Sequence, residues 1–190
     1  MTGDITVISG PTAVGKGTVV SILREQHPEV WVSVSATTRP PRPGEVDGVH
    51  YRFLTRDAFR ALIDEDALLE WAIVHGRDYY GTPTAPVSDA VAAGKRAILE
   101  IDLQGARQVR KKLPGARFVF LTPPDWDALV DRLVGRGTET DEQVERRLAT
   151  ARVELAAASE FDHVVVNGEL GATVAELVRL LGLYDNEGSS

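Results

Sequence analysis

Short apolar runs alternate with segments of helical spacing along most of the chain. The apolar runs of strand length lie at 4–9, 30–35, 97–101, 118–121 and 164–166. Segments whose apolar residues recur every three or four positions lie at 18–26, 84–93, 103–112, 125–134, 142–158 and 173–183. Strands that alternate with helices in this way predict an α/β fold, in which helices flank a central parallel sheet.

The stretch 33–86 interrupts this rhythm with short predicted strands at 51–54 and 69–74, a helix at 56–63 and a proline-rich loop. We interpret it as a mixed α+β lobe inserted into a single domain that spans 1–190. The predicted core comprises about 1–32, 87–134 and 159–184, and a helical lid is predicted at about 135–158.

Length and composition narrow the class of protein. The 190 residues suffice for one α/β domain, and the net charge of −7 argues against a nucleic-acid partner, which needs a broad basic surface. No cysteine is present, so disulfides and cysteine-based metal sites are excluded. Because no apolar run reaches membrane-spanning length and no signal-peptide pattern begins the chain, we expect a cytoplasmic protein without a membrane partner.

A glycine-rich turn joins the first predicted strand to the first predicted helix. It reads Gly10-Pro11-Thr12-Ala13-Val14-Gly15-Lys16-Gly17-Thr18. A Walker A loop requires this context, in which backbone N–H groups and a helix N-terminus face phosphate oxygens and the lysine reaches the outer phosphates. The bland alternative is a strand–helix turn with a solvated lysine.

Gly17 departs from the strict Walker A pattern, which has Ser or Thr directly after the lysine. Magnesium then lacks its usual hydroxyl ligand. Thr18 or a water would replace that hydroxyl, unless the phosphates themselves hold most of the ion.

Two arginines lie close together on the proline-rich loop. Arg39 and Arg42 are separated by two prolines, and Tyr51 follows with a hydroxyl group. Arginine suits bidentate phosphate binding, so this loop predicts a second phosphate site. The alternative is a pair of surface arginines that form ion pairs with Glu45 and Asp47.

Glu70 lies between Leu69 and Trp71 on a half-buried predicted strand. A carboxylate in such surroundings needs a partner. Guanine offers two adjacent N–H donors to one carboxylate, and adenine offers no such pair on that edge. The alternative partner is a nearby arginine.

Glu100 and Asp102 follow the strand at 97–101, at the sheet edge where open α/β folds bind ligands. Acidic residues there can hold Mg²⁺ through water or contact the acceptor base. Asp102 also suits the N-cap of the next helix, and both roles are compatible.

A third group of arginines surrounds a glycine-rich turn. Arg132 and Arg136 share a helix face, and Arg146 and Arg147 lie inside the next helix. Cations beside a flexible turn predict a lid that closes over a transferring phosphoryl group. The alternative is a salt-bridged helical hairpin.

Together these blocks resemble the guanylate kinase family, in order from about Ile5 to Leu181. The blocks are Gly10-Pro-Thr-Ala-Val-Gly-Lys, Ser33-Val-Ser-Ala-Thr-Thr-Arg-Pro-Pro-Arg-Pro-Gly-Glu, Gly48-Val-His-Tyr, Leu69-Glu-Trp, Tyr80-Gly-Thr, Glu100-Ile-Asp-Leu-Gln-Gly and Gly135-Arg-Gly-Thr-Glu-Thr. The arginine-loop and lid blocks are specific to that family, whereas the phosphate loop alone is not.

The resemblance implies transfer of the γ-phosphate of ATP to GMP, with Mg²⁺ as cofactor. It implies that the GMP phosphate is held by Arg39, Arg42, Tyr51 and Tyr80. It implies contacts to guanine from Ser35, Glu70, Thr82 and Asp102, with Gly81 beside them. It places Lys16, Arg132, Arg136 and Arg147 around the transferring phosphoryl group, and Asn167 near the ATP base.

Three departures from the family pattern are visible. Gly17 replaces the usual serine, which leaves Thr18 and, through water, Glu100 as weak candidates for the metal. Thr12 stands where serine is common. The stretch Gly76–Tyr80 is one residue longer than in some relatives, so the phosphate contact of Tyr80 could belong to Tyr79.

Two other functions stay open at this point. A catalytically inert guanylate-kinase-like module would bind a protein partner, and another P-loop kinase would act on a different small phosphorylated acceptor. The intact Lys16 and arginines favour the enzyme. The sequence does not distinguish a monomer from a homodimer.

Overall fold

The structure is a computed structural model that describes residues 4–74, 76–134 and 141–183. Arg136 and the glycines beside it lie outside the described residues, as does the C-terminal tail from 184.

Within the part of the chain that the structure describes, nine strands form two sheets. They are β1 (Ile5–Ser9), β2 (Val30–Val32), β3 (Ala36–Thr37), β4 (Arg52–Phe53), β5 (Leu68–Val74), β6 (Asp78–Pro83), β7 (Arg96–Glu100), β8 (Arg117–Thr122) and β9 (His163–Val166). The central sheet has the order β2-β7-β1-β8-β9 and every pair in it is parallel. This sheet confirms the predicted α/β fold class.

The described residues form seven α-helices. They are α1 (Lys16–Gln26), α2 (Arg56–Asp64), α3 (Thr84–Ala92), α4 (Leu103–Lys112), α5 (Trp126–Val134), α6 (Asp141–Ala156) and α7 (Leu170–Leu181). Alternate side chains of β1 divide the core: Ile8 packs with α1 and α7, whereas Val7 packs with α3 and α4. Helices therefore cover both faces of the central sheet, as the apolar runs of β1, β7 and β8 require.

The second sheet is built only from strands between Ala36 and Pro83, in the order β4-β3-β6-β5. Its β3–β4 pair is parallel, and β6 runs antiparallel to both β3 and β5. Phe59 of α2 lies fully buried against this sheet, beside Ala36 and Leu68. The second sheet and α2 together have the mixed α+β character predicted for the inserted stretch.

Strand β6 is a difference from the sequence analysis, which recognised its residues as a motif but not as a strand. Gly81 and Pro83 weaken the apolar alternation that identifies strands, and pairing with β3 and β5 stabilises the strand instead. Helix α1 also begins two residues earlier than predicted, and α7 begins three residues earlier.

Helix α4 fastens the second sheet to the central one. The side-chain amide of Gln108 accepts a hydrogen bond from the Trp71 backbone N–H at 3.1 Å and donates to the Trp71 carbonyl at 2.9 Å. Lys112 donates to the Leu68 carbonyl at 2.6 Å. These bonds fix β5, and with it Glu70, against the core.

Among the described helices, none is both long enough and apolar enough to cross a membrane.

Candidate active site

The phosphate loop joins the end of β1 to the start of α1, at the carboxyl edge of the central sheet. A Cβ atom on Gly10 would lie 2.3 Å from the Leu121 carbonyl oxygen, so only glycine fits there. Gly15 has a φ of 99°, and a Cβ on it would lie 2.8 Å from Nδ2 of Asn167. The two outer glycines of the motif are thus required by close packing and, at Gly15, by backbone conformation.

Lys16 is the first residue of α1, and its ammonium group turns back over the loop. Its Nζ donates to the carbonyl of Gly10 at 2.7 Å and to that of Pro11 at 3.2 Å. Burial lowers the pKa of Lys16, and the carboxylates of Glu154, Glu100 and Asp102 oppose that change. Lys16 is therefore a partly buried cation with acidic groups nearby, at the N-terminus of α1, which favours anions.

Two side chains brace the loop from behind. Arg132 of α5 donates to the Val14 carbonyl at 3.0 Å and to the Asn167 carbonyl at 3.2 Å. The Asn167 amide also donates to the Val14 carbonyl, at 2.7 Å, and its side chain is buried. Arg132 thus lies beside the phosphate loop, and Asn167 contacts the loop backbone.

Gly17 lies in the first turn of α1, next to Glu100 at the end of β7. A Cβ on Gly17 would lie 3.6 Å from the nearer Glu100 carboxylate oxygen, which is ordinary contact, so sterics alone do not demand glycine. Burial raises the pKa of Glu100, and Lys16 opposes that change. Thr18 follows on the exposed side of the same turn.

Arg39 lies at the centre of a polar cluster beside the second sheet. Its Nη1 and Nη2 donate to the two carboxylate oxygens of Glu45 at 2.8 and 2.9 Å, and its Nε donates to the Tyr80 hydroxyl at 3.1 Å. The guanidinium also lies 5.3 Å from the centre of the Tyr51 ring. Arg39, Tyr51 and Tyr80 are thus in mutual contact, as a shared role in one phosphate site requires.

The sequence alternative for this loop is partly realised, since Arg39 does pair with Glu45 and the guanidinium lowers the pKa of that carboxyl to about 2. Asp47 instead accepts a hydrogen bond from the Phe53 N–H at 2.8 Å. Arg42 is exposed, and its backbone N–H donates to Glu45 at 2.7 Å.

Tyr79 has different surroundings from Tyr80. Its ring packs against Phe59 and Trp71, at centroid distances of 5.3 and 6.2 Å. Tyr80 instead meets Tyr51 edge-on at 5.9 Å and contacts Arg39. The geometry favours Tyr80 for the phosphate contact and gives Tyr79 a place in the apolar cluster.

Glu70 points into the gap between the second sheet and α4 and is only 8% exposed. Its Oε1 accepts a hydrogen bond from the Thr82 hydroxyl at 2.7 Å. Among the described residues, no cation forms an ion pair with it. Burial, with a smaller contribution from Asp102, raises the pKa of Glu70 to about 7. A Cβ on Gly105 would lie 3.0 Å from Oε2, so this glycine makes room for the carboxylate.

The remaining predicted contacts of the acceptor base are Asp102, Gly81 and Ser35. Asp102 caps α4 by accepting the Gly105 N–H at 2.7 Å, and its side chain is exposed. Gly81 is buried in β6 opposite Trp71, next to Thr82. Ser35 is half-buried directly before β3.

The predicted lid is described only in part. Arg132 belongs to α5 and Arg147 to α6, whereas Arg136 lies outside the described residues. Helices α5 and α6 pack together through Leu129, Leu133 and Ala151.

Sequence reasoning did not identify Glu154 of α6, which is 9% exposed and accepts a hydrogen bond from the Thr12 N–H of the phosphate loop at 3.3 Å. The signal was present, because Glu154 lies between Val153 and Leu155 just as Glu70 lies between Leu69 and Trp71. In an amphipathic helix, however, such a position is ordinarily read as part of the polar face.

Comparison with known proteins agrees with this geometry. A family model described as guanylate kinase matches residues 2–184. The chain is 59% identical to a guanylate kinase of Cutibacterium acnes over 184 residues, which are 96% of this chain and 92% of that protein. It is 56% identical to a guanylate kinase of a Mycobacterium species over 189 residues, 99% of this chain and 96% of that protein.

A solved structure shows the same likeness in three dimensions. The crystal structure of guanylate kinase from Anaplasma phagocytophilum matches with a TM-score of 0.71 and 29% identity, over 96% of this chain and 86% of that one. A phosphate loop at the sheet edge, an arginine–tyrosine cluster and a buried carboxylate thus occur in a chain that the family model spans almost completely. The chain belongs to the guanylate kinase family.

Proposed function

We propose that this enzyme transfers the γ-phosphate of ATP to GMP, giving ADP and GDP, and that Glu70 selects the acceptor base. The observation that carries the base assignment is the buried Glu70 carboxylate, which has the Thr82 hydroxyl as a partner and no cation among the described residues. Two adjacent N–H donors of guanine would satisfy it. An adenine would leave it with the Thr82 hydroxyl alone, and a buried charge with too few partners is costly.

On the donor side, the loop from Gly10 to Thr18 binds the ATP phosphates through backbone N–H groups and the start of α1. The Lys16 ammonium group donates to two loop carbonyls, and it can exchange them for oxygens of a phosphate bound in the loop. Arg132 already contacts the loop, and we assign Arg136 and Arg147 with it to the lid at about 135–158 that surrounds the transferring group. Asn167 holds the loop and lies on the side of the ATP base.

On the acceptor side, we assign the segment 33–86 to GMP binding. Arg39, Arg42, Tyr51 and Tyr80 hold the GMP phosphate. In the structure Arg39 already directs four of its five N–H groups to Glu45, Tyr80 and the Pro40 carbonyl. A phosphate therefore takes its remaining N–H or displaces Glu45.

Base recognition completes the acceptor side. Ser35, Glu70, Thr82 and Asp102 contact guanine, with Gly81 holding the strand close to them. Asp102 is near enough to Glu70 to raise the pKa of that carboxyl, which supports contacts from both residues to one base.

Magnesium is the cofactor that we assign to this reaction. The donor groups present fit an ion that is held mainly by the ATP phosphates. Within the described part of the chain, no three acidic or histidine side chains cluster as a metal site. The Thr18 hydroxyl and the Glu100 carboxylate are hard oxygen donors at the loop, and Mg²⁺ commonly keeps waters and binds mainly to phosphates. Bound with ATP, the ion neutralises phosphate charge, while Thr18 and Glu100, the latter through water, would orient it.

The chemistry moves one phosphoryl group. An oxygen of the GMP phosphate forms a bond to the γ-phosphorus, and the bond from that phosphorus to the β–γ bridging oxygen breaks, so that ADP leaves with the electron pair. The protein supplies positioning and positive charge rather than a covalent step. Lys16 and the arginines of the loop and lid provide that charge.

A coupled assay of ADP release tests the proposal directly. The purified chain is mixed with ATP and Mg²⁺ and with GMP, AMP, UMP or a sugar phosphate as acceptor. We expect turnover with GMP and little with the others. Folded protein that turns over none of these acceptors would identify an inert binding module, and turnover of another acceptor in preference to GMP would refute the base assignment.

A further inference from the structure

Glu154 connects α6, a helix within the predicted lid, to Thr12, which with Ala13 forms the crest of the phosphate loop. It lies near the end of α6, and its Oε2 accepts the Thr12 N–H at 3.3 Å. The side chain is 9% exposed. A buried carboxylate at this point is unexpected, because the backbone N–H groups of the loop and the N-terminus of α1 favour a negatively charged ligand.

A second contact joins the same two parts of the fold. Ala13, the next residue of the loop, has a φ of 66°, a left-handed conformation that glycine adopts far more readily than alanine. Its methyl group packs on the α5–α6 cluster of Leu129, Leu133 and Ala151. The crest of the loop is therefore held against the α5–α6 helix pair by one polar and one apolar contact.

The charge of Glu154 acts on the loop as well. Lys16 is its attractive neighbour, and Asp102 is a repulsive one. Burial raises the pKa of the Glu154 carboxyl, and Lys16 and the Thr12 N–H oppose that change. A polyphosphate that binds to Lys16 brings further negative charge towards this carboxylate, in surroundings that screen it poorly.

We propose that Glu154 is a positioning residue with two opposed effects on ATP: it holds the crest of the phosphate loop in place, and its charge weakens polyphosphate binding. The inference rests on the proposed ATP-binding role of the loop. Because the Thr12 N–H donates to Glu154 of α6, phosphates that enter the loop also affect this helix of the predicted lid. Glu154 thus limits ATP affinity and couples the loop to that helix.

Two substitutions separate the effects. Glu154→Gln keeps an oxygen acceptor for the Thr12 N–H and removes the charge, whereas Glu154→Ala removes both. Asp64→Asn, an exposed position at the end of α2, removes one charge far from the loop and is the matched control. Dissociation constants for ATP and ADP are measured by calorimetry at low and high ionic strength, with melting temperatures for each protein.

For Glu154→Gln we expect ATP to bind about three- to tenfold more tightly at low salt, with a smaller gain for ADP and a smaller effect at high salt. Asp64→Asn should stay within about twofold of the wild type, as a distant exposed charge is screened. Glu154→Ala should melt at a lower temperature, because the Thr12 N–H loses its partner. The ratio of ATP to ADP affinity should still shift towards ATP in that variant.

The ratio of ATP to ADP affinity decides the charge effect in whichever variant folds. If the ratio of ATP to ADP affinity is unchanged in both folded variants, including when both affinities fall by the same factor, the proposal is overturned and Glu154 is a packing residue. A wild-type chain that binds no ATP would instead contradict the proposed function. The two failures are therefore distinguishable.

Discussion

At the scale of residues, the proposed acceptor site depends on one ionisable side chain. Glu70 must be charged to accept two N–H donors from guanine, yet burial raises its pKa to about 7. Between about pH 7 and the ordinary pKa of 4.5, the folded chain therefore holds a proton that the unfolded chain releases. Lowering the pH through this range adds a stabilising contribution from Glu70 to the fold and weakens its binding to GMP.

We accordingly predict that the KM for GMP rises about tenfold as the pH falls from 8 to 6, since the ionised fraction of Glu70 falls by about that factor. Initial rates at saturating ATP give this profile. Glu70→Gln should show a high KM at every pH and only the weaker dependence caused by the GMP phosphate itself. Parallel profiles for the wild type and the variant would contradict the role given to Glu70.

The chemistry of a residue could be predicted where its side chain differs in polarity from its neighbours in the sequence. Glu70 stood out because it is a charge in an apolar strand, and the structure buries it without a cation among the described residues. The bidentate partner of Arg39 was foreseen only as an alternative to phosphate binding. The structure shows Glu45 in that ion pair while Arg39 also contacts Tyr80, so pairing and site geometry coexist.

At the scale of elements, long periodic segments were predictable, whereas the short strands β3 and β6 were not. Helix α4 matches its predicted bounds, because an apolar stripe and the Asp102 cap define it locally. Strands β3 and β4 have two residues each, and β6 contains Gly81 and Pro83. These strands depend on partners distant in sequence, and local pattern carries little information about such pairing.

The Gln108 clamp gives a prediction at this scale. Gln108→Ala leaves both backbone groups of Trp71 without their partner, so we expect unfolding in urea to cost about 1–3 kcal/mol less. The KM for GMP should also rise, since β5 carries Glu70 next to Trp71. Lys111→Ala, an exposed position on the same helix, is the control and should change neither quantity. Equal stability of the two variants would show that the clamp contributes nothing.

At the scale of the whole molecule, charged side chains cluster locally, which the net charge of −7 does not reveal. Glu100, Asp102 and Glu154 are near enough to Lys16 to act on its pKa, and the arginine–tyrosine cluster lies on the other sheet. Length and composition allowed one α/β domain and argued against a nucleic-acid partner. They could not predict the order of strands or the approach of Glu154 to the loop, because both arise from contacts between segments far apart in the sequence.

The phosphate loop lies at the edge of the central sheet and Glu70 lies in the second sheet, and we propose that Glu70 makes this kinase select GMP. The most direct measurement compares kcat/KM for GMP and AMP in the wild type and in Glu70→Ala. We expect a strong preference for GMP that falls about 100-fold or more in the variant, because discrimination by a buried polar group is lost with that group. A folded, active variant that keeps the wild-type ratio would contradict it.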